Sequence, residues 1–178
     1  MSYRDTYEKW LNSPALSAEE KAELESIRND EKEIESRFFG PLEFGTAGLR
    51  GTMCVGLHHM NRHVVGHATQ AFAEVIKAEG PEACERGVAI AYDCRNHSAE
   101  FAAQAASVMA ANGIKVRLYD ALRPTPELSF AVRQYGCIAG INVTASHNPK
   151  EYNGYKVYWS DGAQLPPVHA DTVAAKMK

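Results

Sequence analysis

Between Asn142 and Lys156 the sequence reads Asn-Val-Thr-Ala-Ser-His-Asn-Pro-Lys-Glu-Tyr-Asn-Gly-Tyr-Lys. Ser146 comes three residues after an apolar run, Cys137–Val143, so its hydroxyl stands near where a buried strand ends and a ligand can be met. His147 and Lys156 can supply charge or move protons beside it. Asn148-Pro149 fixes a turn, and Gly154 lets the backbone come close to another group. These residue types fit a nucleophilic serine or an anion site. The plainer alternative is that Thr144 and Ser146 hydrogen-bond their own loop. A serine hydrolase fits poorly, because the G-x-S-x-G elbow is missing and an adjacent histidine seldom faces its neighbour's hydroxyl as a base.

A second segment, Phe44-Gly45-Thr46-Ala47-Gly48-Leu49-Arg50-Gly51-Thr52, sets glycines around an arginine. Backbone N–H groups and a guanidinium can surround a phosphate in such a loop, although it lacks the lysine of a P-loop. Asp93 and Arg95 follow another apolar run and read as an ion pair or loop anchor ahead of a functional pair; Arg123 has the same status. His63 and His67 lie four apart, but no third ligand completes a metal site. Tyr152, Tyr155, Tyr158 and Trp159 read as packing residues.

The elements that must carry these residues follow from periodicity. In the first forty residues Ser17 and Glu20 form a capping box, and Leu24, Ile27, Ile34 and Phe38 recur at helical spacing. An arm packed across a domain surface is expected there. Asn61 caps a helix striped by Val64, Val65, Ala68, Ala71, Phe72, Val75 and Ile76. Alternation then follows: strand Val88–Tyr92, a helix capped by Ser98, strand Val116–Tyr119, a helix opened by Thr125-Pro126-Glu127 with Thr125 as its cap, and strand Cys137–Val143. The expected fold class is α/β: a three-layer α/β/α domain with a mixed, mostly parallel sheet and an N-terminal helical arm. The expected divisions are an arm over 1–40, the domain with the serine loop over 41–165, and the start of a linker or helix to a further domain over 166–178.

The 178 residues carry a net charge of −3. That balance disfavours broad binding to nucleic acid or to an anionic membrane. The N-terminal residues have no apolar core of a secretory signal, and no apolar run is long enough to span a bilayer. The four cysteines, Cys54, Cys84, Cys94 and Cys137, make no CxxC pair, and reduced thiols in a cytoplasmic protein are expected.

Taken together, TASHNP (Thr144–Pro149) followed by NGYK (Asn153–Lys156), FGTAGLRG (Phe44–Gly51), Tyr92-Asp93-Cys94-Arg95 and Pro124-Thr125-Pro126 resemble domain I of the α-D-phosphohexomutase superfamily, the phosphoglucomutases, phosphomannomutases and relatives. The resemblance covers roughly residues 40–165. The helical arm makes the chain more similar to the branch of bacterial phosphoglucomutases and phosphopentomutase-type enzymes. The resemblance implies an enzyme, an intramolecular phosphotransferase. Its substrates would be hexose or pentose phosphates, with glucose 1-phosphate and glucose 6-phosphate as the expected pair. The reaction would pass through a phosphoserine and a bisphosphate intermediate, with glucose 1,6-bisphosphate as activator. Ser146 would hold the phosphoryl group, and one oxygen of that phosphate would help bind Mg²⁺. Arg50 would steady the group in transfer, and His147 and Lys156 would share acid/base work or phosphate contacts. Thr46, Gly51, Thr144 and Asn148 would join Arg50 in binding phosphate.

The family's aspartate-rich metal loop and its sugar-selecting loop belong to later domains and are absent here. The chain alone is therefore expected to be inactive, its partners being sugar phosphates and the remaining domains of a full-length chain. The competing expectations are a stand-alone phosphosugar-binding or regulatory module and a sugar bisphosphate synthase. A pure binder has no need of the nucleophile Ser146, which disfavours the first.

Overall fold

The computed structural model describes residues 2–45 and 48–178. The arm is three short helices, α1 (Tyr3–Leu11), α2 (Ala18–Ser26) and α3 (Glu31–Phe38). Each start is chemically fixed. Ser2 with Asp5 and Ser17 with Glu20 form capping boxes, and the Asp30 side chain accepts from the Glu33 amide. The arm has its own small core of Tyr7, Leu11, Leu16, Leu24, Ile27, Ile34, Phe38 and Val55, within which the Tyr7 hydroxyl donates to the Leu24 carbonyl at 3.0 Å.

Strand β1 (Leu49–Thr52) leads to the long helix α4 (Arg62–Ala78), where the Asn61 side chain accepts from the amides of His63 and Val64. Gly80-Pro81 ends α4 and starts a short helix, α5 (Pro81–Arg86), that periodicity did not disclose. Then follow β2 (Val88–Tyr92), α6 (Ser98–Ala111), β3 (Val116–Leu118), α7 (Thr125–Gln134), β4 (Ala139–Val143), β5 (Tyr152–Trp159) and α8 (Pro167–Lys176). Two expected caps fall elsewhere. His97, in a left-handed conformation, is the cap residue of α6, because the Ser98 hydroxyl is committed to the Asp93 carboxylate at 2.8 Å. Pro124 precedes α7, because the Thr125 hydroxyl accepts instead from the Asn142 amide at 2.6 Å.

The sheet has five strands in the order β1-β5-β4-β2-β3. The β3-β2-β4 half is parallel, as the helix–strand alternation requires, and β5 and β1 add two antiparallel pairings. Those two pairings make the mixed sheet evenly divided. Helices α4, α6 and α8 cover one face, with Val65, Phe72, Ile76, Phe101 and Met109 packed on Val88, Ile90, Ile141, Val143, Tyr155 and Val157. Helix α7 covers the other face through Leu128, Ala131 and Val132 against Ala89, Ala91 and Tyr158. The result is the expected three-layer α/β/α arrangement.

The arm is tied to α4 by charge. The Arg62 guanidinium donates to both carboxylate oxygens of Glu20, at 2.8 and 2.7 Å, and the His63 ring meets the same carboxylate at 3.0 Å. Arg62 above all, then the Ser17 amide and His63, hold the Glu20 carboxyl well below its ordinary range, at about 2, against the opposing effect of burial. A depressed acid contributes stability that is complete above its unfolded value and is lost as pH falls toward its folded one. Replacing Glu20 by Gln is therefore expected to lower stability by about 2 kcal/mol at pH 7, after discounting for the half-exposed Arg62. It should also flatten the stability decline between about pH 5 and 2 in urea titrations. An unaltered acid limb in Glu20→Gln would refute the assignment.

Candidate functional site: a serine loop at the carboxyl end of the central strand

Residues 144–151 join β4 to its antiparallel neighbour β5, so the serine loop is the connection of a hairpin at the carboxyl end of the most buried strand. Strand β2 runs parallel to β4. The 93–97 turn beyond β2 therefore lies beside the serine loop, and the two bound a groove of about 420 Å³ lined by Asp93, Cys94, Arg95, Asn96, Ser146, Asn148 and Lys150. This is where a parallel sheet presents ligands.

Ser146 has φ of +59°, the left-handed region that a residue with a Cβ enters at a cost of about 1–2 kcal/mol. Its amide donates to the Thr144 hydroxyl at 3.0 Å, so Thr144 is committed to shaping the loop. The exposed Ser146 hydroxyl meets His147 Nδ1 at 3.4 Å.

Arg50 arrives from the far edge. In the β1–β5 register it lies opposite Gly154, and its guanidinium donates to the Asn148 side-chain carbonyl at 3.2 Å. Lys156 is two residues along β5 from Gly154 and so rises on the same face of the sheet as Arg50. Burial lowers the Lys156 pKa, the nearby Arg50 charge lowers it further, and Asp93 partly offsets both. A more readily deprotonated lysine is suited to moving protons. Gly154 is needed because a Cβ there would stand 2.6 Å from the Thr144 carbonyl oxygen.

Ser146, His147, Asn148, Arg50 and Lys156 are thus brought together, and Thr144 supports them. Gly51 packs toward Leu42 and Met60, and Thr46 lies outside the described residues. Arg123 sits apart on the surface, paired with Asp120 and Glu127, and His63 serves the arm. Tyr155 is fully buried on the α4 face, sharing a 3.0 Å hydrogen bond with the Thr69 hydroxyl. Tyr158 is also buried, and Trp159 stacks on His169 at 4.4 Å; all three pack. The groove also takes in Cys94, Asn96 and Lys150, because the parallel pairing of β2 with β4 places the 93–97 turn against the loop. The four cysteines are unpaired.

No helix among the described residues is long and apolar enough to cross a membrane. Among them no three His, Cys, Asp or Glu side chains converge as a cation site. Asp93, the one acid among the described residues that line the groove, is engaged by Arg95 and by the Ser98 hydroxyl. The groove as built favours an anion.

An α/β/α domain that exposes a left-handed serine in the loop beyond its most buried strand, with Arg50 and Lys156 on one face of the sheet beside it, is the class that this fold and site define. Residues 41–178 match the description "Phosphoglucomutase/phosphomannomutase, alpha/beta/alpha domain I", and the chain belongs to that family. It is 38% identical over 171 residues to a phosphopentomutase of Pongo abelii, covering 90% of this chain and 28% of that one. Against a Staphylococcus epidermidis phosphoglucomutase the identity is 47% over 124 residues, covering 70% of this chain and 22% of the other. The structure overlays on a Thermus thermophilus protein assigned as a phosphomannomutase with TM-score 0.70 and 30% identity, covering 78% of this chain and 30% of that one. The chain spans less than a third of the length of these relatives.

Proposed function

We propose that this chain is domain I of a phosphosugar mutase, that Ser146 carries the phosphoryl group, and that glucose 1-phosphate and glucose 6-phosphate are the pair interconverted. The observation that carries this reading is the left-handed Ser146, exposed at the crest of the β4–β5 connection with Arg50, His147 and Lys156 around it. Phosphoryl transfer demands in-line positioning and charge neutralisation more than covalent help; the constrained Ser146 and the Arg50 and Lys156 charges support that reading.

In the first half-reaction the bond from the Ser146 oxygen to phosphorus breaks, and a sugar hydroxyl forms the new bond to the same phosphorus. The product is a sugar bisphosphate. The sugar hydroxyl loses a proton, and the serine oxygen gains one. His147 Nδ1 lies 3.4 Å from that oxygen, and Lys156, on the face of the sheet that carries Arg50, is the second proton carrier. In the second half-reaction the bisphosphate returns its other phosphoryl group to Ser146. Arg50 balances charge on the group in flight, while Asn148 orients the guanidinium. Mg²⁺, bound at a phosphate oxygen on Ser146 with its other ligands outside the described residues, would neutralise charge on the transferring group. Sugar selection, including hexose against pentose, falls to residues beyond this chain, and glucose 1,6-bisphosphate would prime the serine.

The test is to treat the full-length protein with glucose 1,6-bisphosphate and map phosphorylation by peptide mass spectrometry. A phosphoryl group on Ser146 is expected, together with steady conversion of glucose 1-phosphate. The 178-residue chain by itself should show no sustained turnover. Binding of the bisphosphate without any phosphoserine would replace this reading with that of a binding module.

A further inference from the structure

Arg95 does more than pair with Asp93. Its guanidinium reaches three backbone carbonyls of the serine loop and that of the first residue of β5: Nη2 donates to the oxygens of Ser146 and Asn148, both at 2.7 Å, and Nη1 donates to those of Pro149 and Tyr152 at 2.9 and 3.1 Å. Nε lies 3.4 Å from the Asp93 carboxylate, and the side chain is only 13% exposed. Asp93 is itself fixed, accepting from the Arg95 amide at 3.0 Å and from the Ser98 hydroxyl at 2.8 Å. The buried Asn153 side chain donates to that same hydroxyl at 3.0 Å, and also to the Asn96 carbonyl. One polar network therefore joins the start of β5, the first turn of α6, the turn after β2 and the whole serine loop.

Four carbonyl oxygens are four partial negative charges. Left free on a loop that must hold a phosphate, they would repel it; drawn onto one guanidinium, they are neutralised and turned toward Arg95. The Ser146 carbonyl is one of them, so the same contact restrains the residue in its left-handed conformation, where the hydroxyl is exposed. A lysine cannot replace this fork, because its ammonium is a point charge with three donors and lacks the planar spread.

We propose that Arg95 is a positioning residue for phosphoryl transfer, a clamp that holds the loop carbonyls away from the phosphate and fixes the Ser146 oxygen for in-line attack. It acts through the loop and rests on the reading of Ser146 as phosphoryl carrier. A reacting oxygen displaced by about 1 Å costs roughly 10²-fold in rate. In the full-length protein, Arg95→Lys is accordingly expected to lower kcat about 10²-fold with KM changed less than about threefold. Arg95→Ala should be partly rescued by added guanidinium ion.

Hydrogen exchange on the 178-residue chain supplies a readout independent of turnover. Amides of residues 146–152 should exchange faster in Arg95→Lys, while those of β2 and β4 stay as protected as in the wild type. Wild-type loop protection in Arg95→Lys would overturn the clamp. Faster loop exchange with unchanged kcat would overturn its role in transfer, and a rise in KM alone would reassign Arg95 to substrate binding. If the wild-type protein is never phosphorylated on Ser146, the proposed function fails, whereas the exchange comparison still judges the clamp.

Discussion

Ser146→Ala is expected to reduce mutase turnover of the full-length protein by at least ~10⁴-fold and to abolish phosphorylation by the bisphosphate, because removal of an attacking group leaves only binding and charge stabilisation. The fold should be untouched. Among the described residues the Ser146 hydroxyl meets only the ring of His147, and the amide that bonds to Thr144 is retained in alanine. The backbone supplies a control. At φ of +59° serine and alanine bear similar strain, whereas glycine bears none. Ser146→Gly should thus be as inactive as Ser146→Ala and at least as stable in urea unfolding. Equal inactivity with undiminished stability separates loss of the nucleophile from loss of structure. Turnover persisting within tenfold of wild type in either variant would remove Ser146 from the chemistry.

The largest effect on stability is expected at Gly48. Its φ is +84°, and a Cβ there would stand 1.9 Å from the Tyr155 carbonyl oxygen and 3.0 Å from the Tyr155 carbonyl carbon. Backbone atoms in a paired strand cannot step aside, so β1 must move off β5. Gly48→Ala should cost about 3–5 kcal/mol, the sum of a left-handed alanine and a disrupted strand pairing. That is a large share of the roughly 5–15 kcal/mol available to a domain. Gly45 is the matched control: a Cβ there meets none of the described residues within 4 Å, and Gly45→Ala should stay within about 0.5 kcal/mol of wild type. Chemical denaturation of both variants tests the pair; a Gly48→Ala midpoint equal to that of Gly45→Ala would contradict the account. Because Arg50 is carried by β1, Gly48→Ala should also weaken phosphate binding.

Local signals were legible. The Ser17–Glu20 box, the Asn61 cap and the stripe on α4 depend on neighbours within a few residues. The serine loop was legible for the same reason, since its polar residues follow a strand that is buried throughout. The caps at Ser98 and Thr125 were misread because their hydroxyls bond to Asp93 and Asn142, which belong to other segments. Strand β5 could not be assigned in advance: Asn153, Gly154 and Lys156 break the apolar pattern, and each answers to a partner on another strand or loop.

The sequence by itself determined the α/β alternation, because short-range periodicity suffices for it, and the resemblance of its motifs to the family singled out Ser146, His147, Arg50 and Lys156 as the candidate set. Only the tertiary structure decided that the sheet turns antiparallel at β5, that Arg50 and Lys156 share one face, and that Arg95 gathers the carbonyls of the serine loop. The physical reason is separation along the chain. Arg50 meets Asn148, and Arg95 meets residues 146–152, only after strand pairing has closed the intervening chain. Register, set by the whole core, decides which side chains then face one another.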